Sequence, residues 1–199
     1  MRIVQSSVLF TSLFLGMIIT GILWFASVSG TSKTVRELYP SYQIFCKQAM
    51  LVEKITGIAG RYVYASSGFD QGIVDRIDKE LPMLEQAGDS LQQCVFKKAE
   101  VRKRSLAISD SLIFSCRAIR ESLNDAVNHR ISKELYLVQY DRSIATIAST
   151  EDSIITFFET PLRNLKRAPY LSREAQITFR QMNSNGLIAD LFSGRYLDR

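Results

Sequence analysis

The chain has 199 residues, with three Cys, one His, four Pro and ten Gly, and its 25 Lys plus Arg against 20 Asp plus Glu give a net charge of +5. That basic excess is slight and interspersed with acids, which argues against a nucleic-acid surface, where cations cluster on one face; no nucleic acid is expected as a partner. Sparse Pro and Gly, and the lack of any convincing period-two run, make the expected fold class all-α.

Thirty consecutive residues between Arg2 and Lys33 carry no charged side chain, and residues 8–28 (VLFTSLFLGMIITGILWFASV) are overwhelmingly apolar. As a helix this run spans roughly 32 Å, close to the ~30 Å hydrocarbon thickness of a bilayer, and is expected to be a transmembrane anchor. A cleaved secretory signal is the competing reading, with Arg2 as its n-region and residues 28–30 as its cleavage site. The length of the run, and Trp24 and Phe25 at the position of an interfacial aromatic anchor, favour retention. The chain then divides into a tail and transmembrane anchor (1–30), a helical bundle (31–168), and a short C-terminal amphipathic helix with a tail (169–199).

From residue 35 the positions Val35, Leu38, Tyr42, Phe45, Ala49, Val52, Thr56, Ala59 and Val63 alternate steps of three and four, predicting a helix with a narrow packing seam. Pro40 is expected to kink this helix or to restart it. Ser66, Ser67 and Gly68 stop it, and Asp70 is a suitable N-cap for a second helix, with Ile73, Ile77, Leu81, Leu84, Gly88, Leu91 and Val95 on one face and a kink at Pro82. The stripe fades in the charged segment 97–104 and returns at Ile108, Leu112, Cys116, Ile119, Leu123 and Ala126. Two readings fit that segment: a reversal centred near Ser105, or one long helix with a solvated middle. The reversal is preferred, because a continuous helix there would far exceed ordinary globular length.

Residues 124–132 form the next expected turn, and residues 133–160 the last long helix, with Leu135, Val138, Ile144, Ile147, Ile154, Phe158 and Leu162 available to pack and Pro161 and Pro169 closing the pattern. Residues 172–182 read as a short amphipathic helix capped by Ser172. Four long helices joined by short turns imply an antiparallel four-helix bundle whose first helix continues out of the anchor.

Chemistry is sparse. Counting residues from the expected reversals places Cys94 opposite Cys116, with Cys46 a little over one turn away, so either three buried thiols or a disulfide (Cys94 to Cys116, then Cys46 to Cys94) is expected. No CxxC or HxxxH spacing joins them to His129, so no metal site and no cofactor is expected. Arg61, Arg117 and Arg120 are candidates for holding a small anionic ligand such as a carboxylate; the plainer alternative is surface arginines paired with nearby acids. No nucleophile or phosphate-binding motif occurs, and the chain is not expected to be an enzyme.

A membrane helix that runs directly into a heptad-patterned helix, followed by three more helices, resembles the periplasmic four-helix-bundle sensing region of bacterial chemoreceptors and sensor kinases. The resemblance is one of architecture. It implies a single-pass inner-membrane protein with its bulk in the periplasm, a sensor-like or regulatory interaction module that binds an envelope partner or a small ligand. The chain departs from that family in showing no second membrane helix after the fourth helix and no HAMP, kinase or methyl-accepting segment, so no ligand-binding residue is carried over. Charge beside the anchor does not fix orientation, since Arg2 and the amino terminus face Lys33 and Arg36; a brief tail before a large domain favours an inside N-terminus. The alternatives are a scaffold or assembly subunit that self-associates through the 35–63 seam and a phage-type lysis or pore protein.

Overall fold

The structure, a computed structural model, describes residues 2–64, 71–96 and 98–167, with the side chains of 2–15, 31–32, 34–36, 62, 64 and 159–167 outside the description. Four helices make it up: α1 (Arg2–Tyr64), α2 (Gln71–Gln92), α3 (Ala99–Val127) and α4 (Lys133–Arg167). They pack antiparallel in chain order, with α1 against all three others and α2 and α4 at opposite corners. The expected all-α antiparallel bundle is therefore the observed architecture.

α1 continues without a break through Pro40, so the helix does not restart there. Its C-terminal part builds the bundle. Leu38, Tyr42, Phe45, Val52, Ala59 and Val63 lie in or against the core, as the seam predicts; Ala49 is half-buried, and the side chain of Val35 is outside the description. The buried face is nonetheless wider than a coiled-coil seam, because Ser41, Gln48, Leu51 and Ile55 are buried as well. A helix touching three neighbours needs more than the two rows that serve one partner.

The α2–α3 connection occupies residues 93–98, earlier than the reversal expected near Ser105. Lys and Arg are good helix formers, and the charged run becomes the exposed first turns of α3 instead of a loop. Val95, expected on the packed face, falls in this connection and is 79% exposed. The expected stripe of α3 is buried throughout.

Two readings of the last helix need correction. Pro161 does not close it, since α4 runs to Arg167. Leu135 and Val138 are exposed, and the buried row is Tyr136, Ser143, Ile147, Thr150, Ile154 and Phe158. Ser and Thr at two inward positions disguised the true phase, which begins one residue later, at Tyr136. Its hydroxyl donates to the Ala59 carbonyl at 3.4 Å, and that of Tyr140 to the Thr56 carbonyl at 3.1 Å, tying α4 to α1.

The expected turn before α4 is present. The Arg130 backbone N–H reaches the Asp125 carbonyl at 2.8 Å, His129 takes the left-handed conformation with φ 56°, and Ser132 caps α4 by accepting from the Leu135 N–H. The expected N-cap Asp70, the helix over 172–182 and the tail lie outside the described residues.

Candidate functional site

Among the described residues an open groove of ≈ 520 Å³ lies between α1 and α2. Met50, Glu53, Lys54, Gly57, Ile58 and Arg61 line it from α1, and Arg76, Lys79 and Glu80 from α2. Spacings of three and four put each set on one helical face, beside the rows that fill the core. Glycine at position 57 keeps the groove open, with nothing within 4 Å of where its Cβ would stand.

Glu80 forms the floor. The residue is 8% exposed, and one of its oxygens, Oε1, accepts an ion pair from Lys54 Nζ at 2.5 Å. The other, Oε2, is buried with no hydrogen-bond partner among the described residues. A buried acceptor left unmatched costs about 1–3 kcal/mol. Around this floor Arg61, Arg76 and Lys79 make no ion pair among the described residues. The lining therefore carries four cations, Lys54, Arg61, Arg76 and Lys79, and two acids, Glu53 and Glu80, the latter paired with Lys54.

The three candidate arginines separate. Arg61 lines the groove. Arg117 and Arg120 lie at the α2–α3 contact, where Arg117 Nε donates to Glu85 Oε1 at 2.8 Å and Arg120 donates through Nε and Nη2 to both Asp78 oxygens at 2.7 and 2.8 Å. Their charge is matched by carboxylates of the same chain, the alternative stated for them from sequence. Lys54, Lys79 and Glu80 were not singled out by sequence; their spacing beside the seam is the signal that marks them.

The hydrogen bond from Arg120 holds the Asp78 carboxyl below its usual range, and Asp78 raises Arg120 in turn. A carboxyl with a lowered folded-state pKa adds stability above its unfolded value and loses it as pH falls. Asp78→Asn is expected to cost about 1 kcal/mol at neutral pH. In urea titrations the gap between variant and parent should begin to narrow as pH falls through about 4, the ordinary carboxylate value, and close only below the lowered value of Asp78 itself.

The cysteines do not pair: Cys46, Cys94 and Cys116 are free thiols. The ion pairs Arg117–Glu85 and Arg120–Asp78 set Cys116 level with the region of Leu84, about 15 Å along the axis from Cys94, beyond the ~7 Å Cα separation a disulfide tolerates. Misplacing the reversal produced the error, because a shift of its centre counts twice in the register. Burial pushes the Cys116 thiol up to about 12 and also raises Cys46 and Cys94, leaving all three as protonated, weakly nucleophilic side chains at neutral pH. Among the described residues no group of His, Cys, Asp and Glu is placed to hold a metal.

At the other end of α1, Met17, Ile18, Ile19, Ile22, Leu23, Trp24 and Phe25 are 44–69% exposed, around the whole circumference of the helix. Among the described residues no helix is long and apolar enough to cross a membrane, and residues 8–15 of the expected anchor have side chains outside that description. The 35–63 seam is covered by α2, α3 and α4 of the same chain. Set against protein families, curated proteins and solved structures, the chain matches none.

Proposed function

We propose that this chain is a membrane-anchored, single-pass helical-bundle module with its bulk in the bacterial periplasm, and that it acts without catalysis by receiving a small anionic ligand in the α1–α2 groove. The observation that carries the reading is that Arg61, Arg76 and Lys79, in no ion pair among the described residues, line one groove in which they and Lys54 outnumber the acids Glu53 and Glu80. An anionic group in the groove would give those cations a charge partner. The anchor reading draws on the uncharged residues 8–28 and on the apolar surface that α1 exposes from Met17 to Phe25.

One helix carries both ends of the device. α1 holds half of the groove and continues unbroken into the apolar stretch, so a ligand that favours one packing of α1 against α2 shifts the population of that packing and displaces the anchor with it. An acidic segment of an envelope partner could use the same rim, and co-purification tests that outcome. The scaffold alternative has lost the seam as its surface, since the bundle itself covers it.

Thermal unfolding of the full chain against a panel of carboxylate and phosphate metabolites tests the reading. A ligand at a hundred times its Kd should raise Tm by on the order of 5 °C. Arg61→Gln combined with Arg76→Gln should abolish that rise while moving the unliganded Tm by less than about 2 °C, as surface substitutions do. No shift with any compound, together with robust co-purification of one envelope protein, would sink ligand binding.

A further inference from the structure

We infer that the α2–α3 connection and the first turns of α3 form a basic foot that docks on anionic phospholipid headgroups beneath the bundle. The inference rests on the anchor reading above. Lys98, Arg102, Lys103 and Arg104 are all exposed, with Glu100 and Glu37 as acids at the same level, and Val95 projects from the connection at 79% exposure. Arg102 Nη2 donates to the Gln92 carbonyl at 3.4 Å, which folds the connection against the end of α2.

Register places this foot. Gln48 Nε2 donates to Ser109 Oγ at 2.6 Å, so the start of α3 stands level with about residue 38 of α1, at the end of the bundle from which the apolar stretch departs. From there to Val28 is about 15 Å of helix, and the headgroup layer occupies roughly 5–8 Å of that height. The remaining gap is about one Debye length, which extended Lys and Arg side chains shorten further. Helix tilt brings one side of the bundle closer still.

The opposite end carries exposed cations of its own, Arg61 near the end of α1 and Arg76 near the start of α2, but no comparable apolar stretch leaves the described residues there. In the α3–α4 turn Arg130 is paired with Asp125 at 3.3 Å, and the sequence of residues 65–70 contains Asp70 and no base. What distinguishes the foot is its place, at the end from which the apolar stretch of α1 departs, where lipid phosphates would complement its cations.

The test uses the full chain in vesicles of phosphatidylcholine, with or without phosphatidylglycerol. A fluorophore on Gln93→Cys, with Cys46→Ser, Cys94→Ser and Cys116→Ala, reports approach to the surface through quenching by nitroxide-headgroup lipid. The docked-to-free ratio is expected to rise about fivefold or more with phosphatidylglycerol, since one cation at such a surface supplies about that factor. High salt should reverse the rise. Lys98→Gln, Arg102→Gln, Lys103→Gln and Arg104→Gln together should remove it with helicity unchanged. Retention after alkaline washing reads the anchor separately. A chain that washes off overturns the anchor reading and this inference together, whereas a retained chain with equal quenching in both vesicles overturns the foot alone.

Discussion

Phe158→Ala is expected to destabilise the bundle by about 4 kcal/mol, the largest effect of any single substitution considered for this chain. Phe158 is 4% exposed and sits where α4 meets α1. Its ring meets that of Tyr42 edge-on at 5.5 Å and 89°, that of Phe45 at 5.8 Å and 77°, and that of Phe157 at 4.9 Å. Edge-to-face pairs contribute about 0.5–1.5 kcal/mol each beyond the area they bury, and truncation to Ala also leaves a cavity that helix backbones cannot close. Urea unfolding should show a lower midpoint with an unchanged m-value. A loss below about 1 kcal/mol would mean that the α1–α4 contact does not hold this end of the bundle together.

Gly88→Leu is expected to cost about 3 kcal/mol, for a different reason. A Cβ at position 88 would stand 2.7 Å from Ile113 Cδ1, 3.1 Å from Ser109 Oγ and 3.6 Å from Gln48 Nε2. The Ile113 methyl can swing aside; the Ser109 hydroxyl is held by its 2.6 Å hydrogen bond from Gln48. Leu therefore forces α2 away from α1 and α3 together, and exposes the buried Gln48, whose Oε1 already lacks a partner among the described residues. Circular dichroism during urea unfolding measures the cost, and a midpoint equal to that of the parent would show that the three helices do not approach this closely.

Thiol chemistry provides no redox handle in this fold. Cys116 lies at 0% exposure between Leu112 and Ile119 on the buried stripe of α3, where it packs as a small apolar side chain. Equal levels along two helices are necessary for a disulfide and are not met by Cys94 and Cys116. The groove follows the opposite logic. Its members are far apart in sequence and unremarkable one at a time, but two helical faces bring them together.

How much was legible varies with the kind of signal. Ile108, Leu112, Cys116, Ile119, Leu123 and Ala126 recur at helical spacing and all are buried, because which side of a helix a residue occupies depends only on its neighbours in sequence. The same signal failed on α4, where Ser143 and Thr150 occupy inward positions and the exposed Leu135 and Val138 mimic a stripe. Thr150 Oγ1 is satisfied by the Thr146 carbonyl and by Ser111 across the interface, and only the presence of α3 makes that position tolerable inside. The charged segment 97–104 misled in the same way. Charge says that side chains stay in water, and the first turns of a helix keep them there as well as a loop does.

The sequence by itself determined that this protein is helical, that its first helix extends an uncharged run into a packing seam, and that one inward stripe on each helix closes a bundle. Those properties follow from local spacing and from the free energy of burying apolar surface. Only the tertiary structure decided which charges are spent and which remain. Arg120 finds Asp78 forty-two residues away and Tyr136 finds Ala59 seventy-seven residues away, while Arg61 and Arg76 make no ion pair among the described residues. Pairing across that distance depends on where each helix reverses and how it is rotated, and both are set by the fit of all four stripes at once.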